Sequence, residues 1–201
     1  LGRLVNSEEI IDAVKQVLGS TGDLAGRNIV VSAGGTREAI DPVRFVGNHS
    51  SGKMGYAVAE AARDRGAQVT LVSAAALPDL SGIETVHVEN AVEMKVAVVK
   101  ACAKTDVLIM AAAVADYQPK NALKQKIKKE FGGADFALEM VNTPDILAEV
   151  KGKFIKVGFA AETEDLVENA KSKLKNKQLD LVAANDVTAP DSGFNVDTNR
   201  V

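Results

Sequence analysis

The chain has 201 residues, 46% hydrophobic and 25% charged, with a formal net charge of −3. That supports one α/β domain with a sizeable core, without requiring a split into two. The mildly acidic balance offers no footprint for nucleic acid, the lone Cys102 excludes a disulfide framework, and no segment approaches about 18 uninterrupted apolar residues.

A soluble protein of the reducing cytoplasm is therefore expected, with no nucleic-acid or membrane partner. Cys102, in an apolar segment, reads as a small buried hydrophobe. Leu1-Gly2-Arg3 does not begin a signal peptide, and the missing initiator Met suggests a fragment of a longer polypeptide.

In chain order, Ser7-Glu8-Glu9 opens an amphipathic helix with Ile10, Ile11, Val14, Val17 and Leu18 on one side and Gly19 past its end. Gly22 and Gly26 bound a polar link. The run NIVVSA, 28–33, reads as a buried parallel strand ended by Gly34-Gly35-Thr36. A polar loop then runs to Asn48, a helix follows from about Ser51 to Arg65, and Gly66 stops it before a strand over 67–73. A strand over 85–88, a helix over 91–103 and a strand over 106–110 come next. The loop 111–119 follows. A strand over 154–159, a helix over 163–175 and a strand over 179–183 complete the alternation. This rhythm predicts a doubly wound, mostly parallel, Rossmann-like sheet with right-handed crossovers. Lys126–Lys129 and Phe136–Val141, separated by Gly132-Gly133, break it and read as an antiparallel flap within 124–141.

Ligands of such sheets bind beyond the carboxyl ends of the strands. The stretch GNHSSGKM, 47–54, fits the first seven positions of a P-loop. Its eighth is Met54, where a magnesium-ligating hydroxyl is required, and about 13 residues separate it from the strand end. It is therefore not read as a P-loop. Ser50, Ser51, Gly52 and Gly55 nonetheless open a helix, where free N–H groups attract anions. Two readings stand for this turn: a phosphate cradle, or an ordinary N-cap with glycines packing the helix on the sheet.

The run Lys124 to Lys129 is either a solvated face or a mobile flap closing over a polyphosphate. Lys173 and Lys177, four apart, share a helix face if the helix reaches that far. No His, Cys, Asp and Glu set has metal-ligand spacing, and no structural metal is expected. A nucleotide-borne cation needs only one or two carboxylates, for which Asp116 and Asp145 are candidates. Gly-x-Ser-x-Gly is absent and Cys102 has no nearby His, so a protein nucleophile is not supported.

Taken together and in order, GGTREAIDPVRFVGNHSSGKMG, AAAVADYQP, KIKK, NTPDIL, VGFAAET and LVAANDV closely resemble bacterial phosphopantothenate–cysteine ligase. In many bacteria this ligase is the C-terminal half of a bifunctional coenzyme A biosynthesis flavoprotein. The resemblance implies a linker helix over 1–25, after an absent FMN-dependent decarboxylase domain, and a CTP-binding ligase domain over 26–201. The family's sequence runs past Val201, so a C-terminally truncated domain is expected. The implied reaction is activation of 4′-phosphopantothenate by Mg2+-bound CTP as an acyl-cytidylate. Attack by the amine of L-cysteine then releases CMP.

The resemblance also implies roles. Asn48 would contact the pantothenate part and the acyl intermediate. Ser50, Gly52 and Gly55 would hold the triphosphate. Met110, Ala111, Ala112, Ala113 and Asp116 would line the pocket of nucleotide and intermediate. Lys126 would be needed to form the acyl-cytidylate. Pro144, Asp145, Ile146 and Leu147 would form a CTP-contacting turn, preceded by Asn142-Thr143 where some members have Lys-Asn. Phe159 would lie along the nucleotide, Lys173 and Lys177 would bind it, and Asn185 would add a polar contact. Arg44 would reach the substrate phosphate of a neighbouring subunit, which implies a homodimer.

Two alternatives remain in view. A nucleotide-dependent Rossmann-like reductase is opposed by Gly34-Gly35, which is not G-x-G-x-x-G, and by Ser73 where a ribose-binding acid would stand. A nucleotide-sensing module without turnover is the non-enzymatic reading.

Overall fold

The computed structural model describes residues 4–128, 136–162 and 164–186. Its organising element is β1 (Asn28–Ala33), buried along nearly its whole length. Alternate residues of a strand point to opposite faces. Accordingly Ile29, Val31 and Ala33 join one core cluster, and Val30 joins another on the far side of the sheet.

The first cluster is closed by α2 (Lys53–Asp64), whose Tyr56, Ala59 and Ala62 pack beside Val69 and Leu71 of β4 (Gln68–Ser73). On the second side, α3 (Ala91–Ala101) contributes Met94 and Val98 over Val72, and β6 (Val107–Met110) contributes Leu108 and Met110. A short 3-10 turn, Cys102–Lys104, ends α3. Cys102 is buried there, and that burial pushes its thiol up to about 11, against the opposing pull of Lys156.

The other strands of the main sheet are β5 (Glu84–His87), β9 (Ile155–Glu162) and β10 (Leu181–Asp186). The order is β10-β9-β6-β1-β4-β5, and every pairing is parallel. The chain thus winds outward from β1 in one direction, returns to β6 on its other side and winds outward again. The reversal between β1 and β6 is the switch point at which a crevice opens.

Two small antiparallel ladders sit over that end. The first pairs β2 (Arg37–Ala39) with β3 (Phe45–Gly47), inside the segment expected to be loop. The second pairs β7 (Tyr117–Pro119) with β8 (Met140–Asn142). The excursion is therefore antiparallel, but its ladder closes further out than the arms read from sequence. Tyr117 and Val141 supply the strand-forming residues, whereas Lys126 to Lys128 lie in no strand. Lys129, Gly132, Gly133, Thr163 and 187–201 lie outside the described residues.

The first helix, α1 (Ser7–Gly19), packs on α2 through its polar side. Lys15 Nζ lies 3.3 Å from Glu60 Oε1, and the buried Arg63 meets Asp12. Ile10, Ile11, Val14, Val17 and Leu18 face outward. The last helix, α5 (Leu166–Asn176), packs on β9 and β10. Among the described residues no helix is long and apolar enough to cross a membrane.

Gly55 sits where α2 crosses β1. A Cβ there would lie 2.6 Å from Ala33 Cβ and 2.9 Å from the Ser32 carbonyl oxygen. Gly55→Ala is expected to destabilise the fold by about 1–3 kcal/mol through overpacking. A urea midpoint unchanged from wild type would show that α2 has room to move.

Candidate functional site

At the β1–β6 switch point, the loop after β6 has no regular structure, yet its backbone is held. Ala112 N–H donates to Ser32 Oγ at 3.1 Å and Ala115 N–H to Thr36 Oγ1 at 2.9 Å. Ala113 N–H donates to the Gly34 carbonyl at 2.9 Å, and its own carbonyl accepts from Thr36 N–H at 3.2 Å. Thr143 then clamps the far side, with Oγ1 2.5 Å from the Ala115 carbonyl and N–H 3.0 Å from that of Asp116.

Below this loop opens a cavity of about 530 Å3, the size of a small-molecule site. Met110, Ala112 and Asp116 form one wall. Pro144, Asp145 and the start of α4 (Ile146–Glu149) form a second, and Phe159, Lys173 and Lys177 close it from β9 and α5. Ten of the residues singled out from sequence thus share one cavity. Lys173 and Lys177 turn inward together, as their spacing predicts, while Lys171 is exposed and meets Glu168. Val114, Ala115, Tyr117, Asn142 and Thr143 also line the cavity; of these, Asn142 and Thr143 are the pair that departs from the family pattern.

The remaining candidates lie around the rim or apart. Asn48 follows β3 and its Nδ2 donates to the Val114 carbonyl at 3.2 Å, which puts its amide beside the cavity loop. Ala111 is half-buried at the end of β6, and Ala113 bridges Gly35. Asn185 is buried on β10.

Ser50, Gly52 and Gly55 are not among the cavity-lining residues. The N-cap of α2 is Gly52, in the left-handed conformation with φ 79°, and it has no side-chain cap. Neither serine takes that position. A Cβ on Gly52 would lie 2.5 Å from Ala75 Cβ, so glycine answers both the backbone angle and the close approach of the β4 end.

Lys126 is exposed, next to Ile127. Arg44 lies in the β2–β3 turn, where Nε and Nη2 donate to Asp41 Oδ2 at 3.0 and 2.5 Å and Nη2 also reaches the Ile127 carbonyl at 3.0 Å. Its guanidinium is thus engaged within its own chain. Arg44 holds the Asp41 carboxyl well below the ordinary carboxylate range, against desolvation and with help from nearby N–H groups.

Inside the cavity, charge is already balanced. Lys177 Nζ meets Asp145 Oδ2, and Lys173 Nζ donates to the Phe159 carbonyl at 2.5 Å. Asp145 also caps α4 through Ala148 N–H at 3.2 Å. Burial pushes the Asp145 carboxyl up; Lys177, the Ala148 N–H and Lys173 outweigh it and leave the net shift downward. Where a ribose-binding acid would stand, Ser73 Oγ instead pairs with Tyr56 Oη at 3.0 Å and accepts from Ala75 N–H at 3.1 Å.

Fold and site define a doubly wound α/β protein with a lysine-bearing crevice between the carboxyl ends of β6 and β9, beside the switch point. The chain belongs to the family described as the DNA/pantothenate metabolism flavoprotein C-terminal domain, which it matches over residues 24–201. It is 46% identical over 183 residues to the coenzyme A biosynthesis bifunctional protein CoaBC of Vibrio cholerae, covering 89% of this chain and 46% of that protein. Against CoaBC of Bacillus subtilis it is 45% identical over 207 residues, covering 100% and 50%. The chain spans about half the length of the curated relatives it matches. A crystal structure of the C-terminal domain of CoaBC superposes with TM-score 0.70 at 45% identity, covering 81% of this chain and 79% of that one. The DNA/pantothenate metabolism flavoprotein from Streptococcus pneumoniae gives TM-score 0.70 at 28% identity, covering 83% and 86%.

Asp145 has a lowered pKa, so its ion pair contributes above the unfolded carboxylate value, about 3.9, and is lost as pH falls through the lower folded value. Lys177→Gln should therefore raise the Asp145 pKa, as read by carboxyl-carbon NMR titration. An unmoved titration would mean that the pair does not form in solution.

Proposed function

We propose that the chain is a phosphopantothenate–cysteine ligase unit of coenzyme A biosynthesis that uses CTP. The observation that carries this reading is the convergence of Lys173, Lys177, Phe159 and the 144–147 turn on one nucleotide-sized cavity beside Asn48. The family membership and the CoaBC relatives support the pathway.

In the first step a carboxylate oxygen of 4′-phosphopantothenate attacks the α-phosphorus of CTP. A P–O bond forms, the bond to the β-phosphate oxygen breaks, and pyrophosphate leaves. In the second, the amine of L-cysteine attacks the acyl carbon, the acyl C–O bond breaks, CMP leaves and the amine gives up its proton. Both steps need positioning and positive charge more than a protein nucleophile. Phe159 and the 144–147 turn would hold the nucleotide. Lys173 and Lys177 would face its charge, and Lys126 would meet charge developing on the phosphates. The Asn48 amide would donate to the acyl oxygen.

Among the described residues no group of three or more metal-ligating side chains is gathered. In this reading magnesium would come with CTP; Asp145 is engaged by Lys177, so Asp116, exposed at the cavity wall, is the carboxylate that would hold it. FMN belongs to the decarboxylase half of longer relatives in this reading, and the cytoplasm is the compartment it implies.

The test is incubation with CTP, phosphopantothenate and cysteine. Pyrophosphate release that depends on phosphopantothenate is expected. NADPH binding, or CTP binding without turnover, would instead favour the reductase or sensor reading. Lys126→Gln should slow pyrophosphate release about a hundredfold while CTP binding weakens far less. Acyl-cytidylate forming at the wild-type rate would make Lys126 a surface lysine.

A homodimer is part of the proposal. Val43 and Phe45 are exposed on either side of Arg44, at the β2–β3 hairpin. Mixing Arg44→Ala with Lys126→Gln, each impaired alone, should restore part of the activity by subunit exchange. A strictly monomeric, active protein would rule this out.

A further inference from the structure

The Asp41 side chain is fully shielded from solvent, and a buried carboxylate is costly unless its lone pairs are filled. Its two oxygens divide the task. Oδ1 accepts from Val43 N–H and Arg44 N–H, both at 2.9 Å, which is the local work of closing a turn. Oδ2 does something the turn does not need. It accepts Nε and Nη2 of Arg44 and also the N–H of Ile127, 86 residues further along the chain, at 3.1 Å. Arg44 Nη2 then takes the Ile127 carbonyl. Both backbone polar groups of Ile127 are thereby gripped by one ion pair. Leu123 N–H, bonded to the Ile40 carbonyl at 2.9 Å, is a second clip on the same segment.

We propose that Asp41 is a positioning residue for the ligation reaction, which holds Arg44 and the Ile127 backbone on one carboxylate and so fixes where Lys126 and Lys128 leave the fold. The inference rests on the ligase reading of the crevice. Lys126 and Lys128 flank the gripped residue and are exposed. Like charges so close together repel, and an untethered strand of lysines would spread over many conformations. A clip between them limits the space their ammonium groups sweep before any anion arrives, and pre-ordering of this kind favours the reacting arrangement. The same carboxylate orients the Arg44 guanidinium, so one buried group refers Arg44 and the backbone that carries Lys126 and Lys128 to a common frame.

The test uses the full chain and Asp41→Asn, which keeps the shape and removes the charge. The kcat of pyrophosphate release should fall on the order of tenfold to a hundredfold, while the KM for CTP stays near wild type. In the Lys126→Gln background, Asp41→Asn should cost little more, because it acts through that lysine. Effects that multiply in the double variant, or a wild-type kcat in Asp41→Asn, overturn the proposal. Should Asp41→Asn fail to fold, Ile127→Pro removes the donated N–H, while also fixing φ at 127 and restricting Lys126, and should give at least the same kcat loss; wild-type kcat there overturns the proposal equally. Amide exchange at Ile127 reads the latch without activity. Protection in wild type that is lost in Asp41→Asn supports it, and equal exchange in both overturns it. A wild-type chain with a protected Ile127 amide that releases no pyrophosphate counts against the ligase reading, not against the latch.

Discussion

The hydroxyls of Ser32, Thr36 and Thr143 hold the loop that follows β6, and the cavity depends on that loop. A segment without a ladder of its own must place its N–H and C=O groups elsewhere, or bear the cost of leaving them unpaired. Ser32 lies within β1 and Thr36 just beyond it, both fully or almost fully buried. The loop is therefore referenced to the most buried strand of the molecule and not to the surface. Its walls, Met110, Ala112 and Asp116, stand in place before a ligand arrives, and less ordering remains to be met on binding.

The cations of the cavity are held in a balanced but loosely committed state. Asp145 is committed twice, to the α4 cap and to Lys177. Lys177 is the more mobile partner, a long flexible side chain at the C-cap of α5. Ion pairs this exposed contribute on the order of 0–1 kcal/mol, so an arriving anion can draw Lys177 away at small cost. Lys173 and Lys177 also lie at the C-terminal end of α5, where the dipole is stabilised by cationic side chains. Lys177, paired with Asp145, and Lys173, donating to the Phe159 carbonyl, thus present two cations at the cavity.

The alternation of apolar strands and helical segments is plain in the sequence because the central strands β1 and β4 are buried on both faces and read as apolar runs. Lys173 and Lys177 were legible for a similar reason: a spacing of four states a shared face. The β2–β3 hairpin was not. Its strands are three residues long, and only Glu38 among them is buried. The signal was the pair Phe45-Val46 after a Pro-containing turn. Periodicity marked the apolar side of α1 but not which side docks; Asp12, Lys15 and Gln16 make the contacts. Ser51 had the right chemistry for an N-cap, yet the close approach of Ala75 leaves room only for Gly52. Thr143 and Val114 escaped as cavity residues because their roles depend on contacts with segments distant in sequence.

A two-stranded hairpin of this length has no stability of its own in water. What keeps β2–β3 formed is its set of contacts with other elements. Glu38 accepts Ala91 N–H at 2.9 Å and so caps α3; Arg37 N–H donates to the Glu89 carbonyl at 2.8 Å. At the opposite end, Asp41 and Arg44 grip Ile127, and past β3, Asn48 reaches Val114. The hairpin thus joins the start of α3, the lysine segment and the cavity loop. Because it has little else to hold it, loosening one of these contacts weakens the order of the others. That makes Asn48, exposed and held by its side-chain hydrogen bond to the Val114 carbonyl, sensitive to residues far from it in sequence. It also explains why a carboxylate is buried in a surface turn, where an asparagine could close the turn but could not hold the arginine.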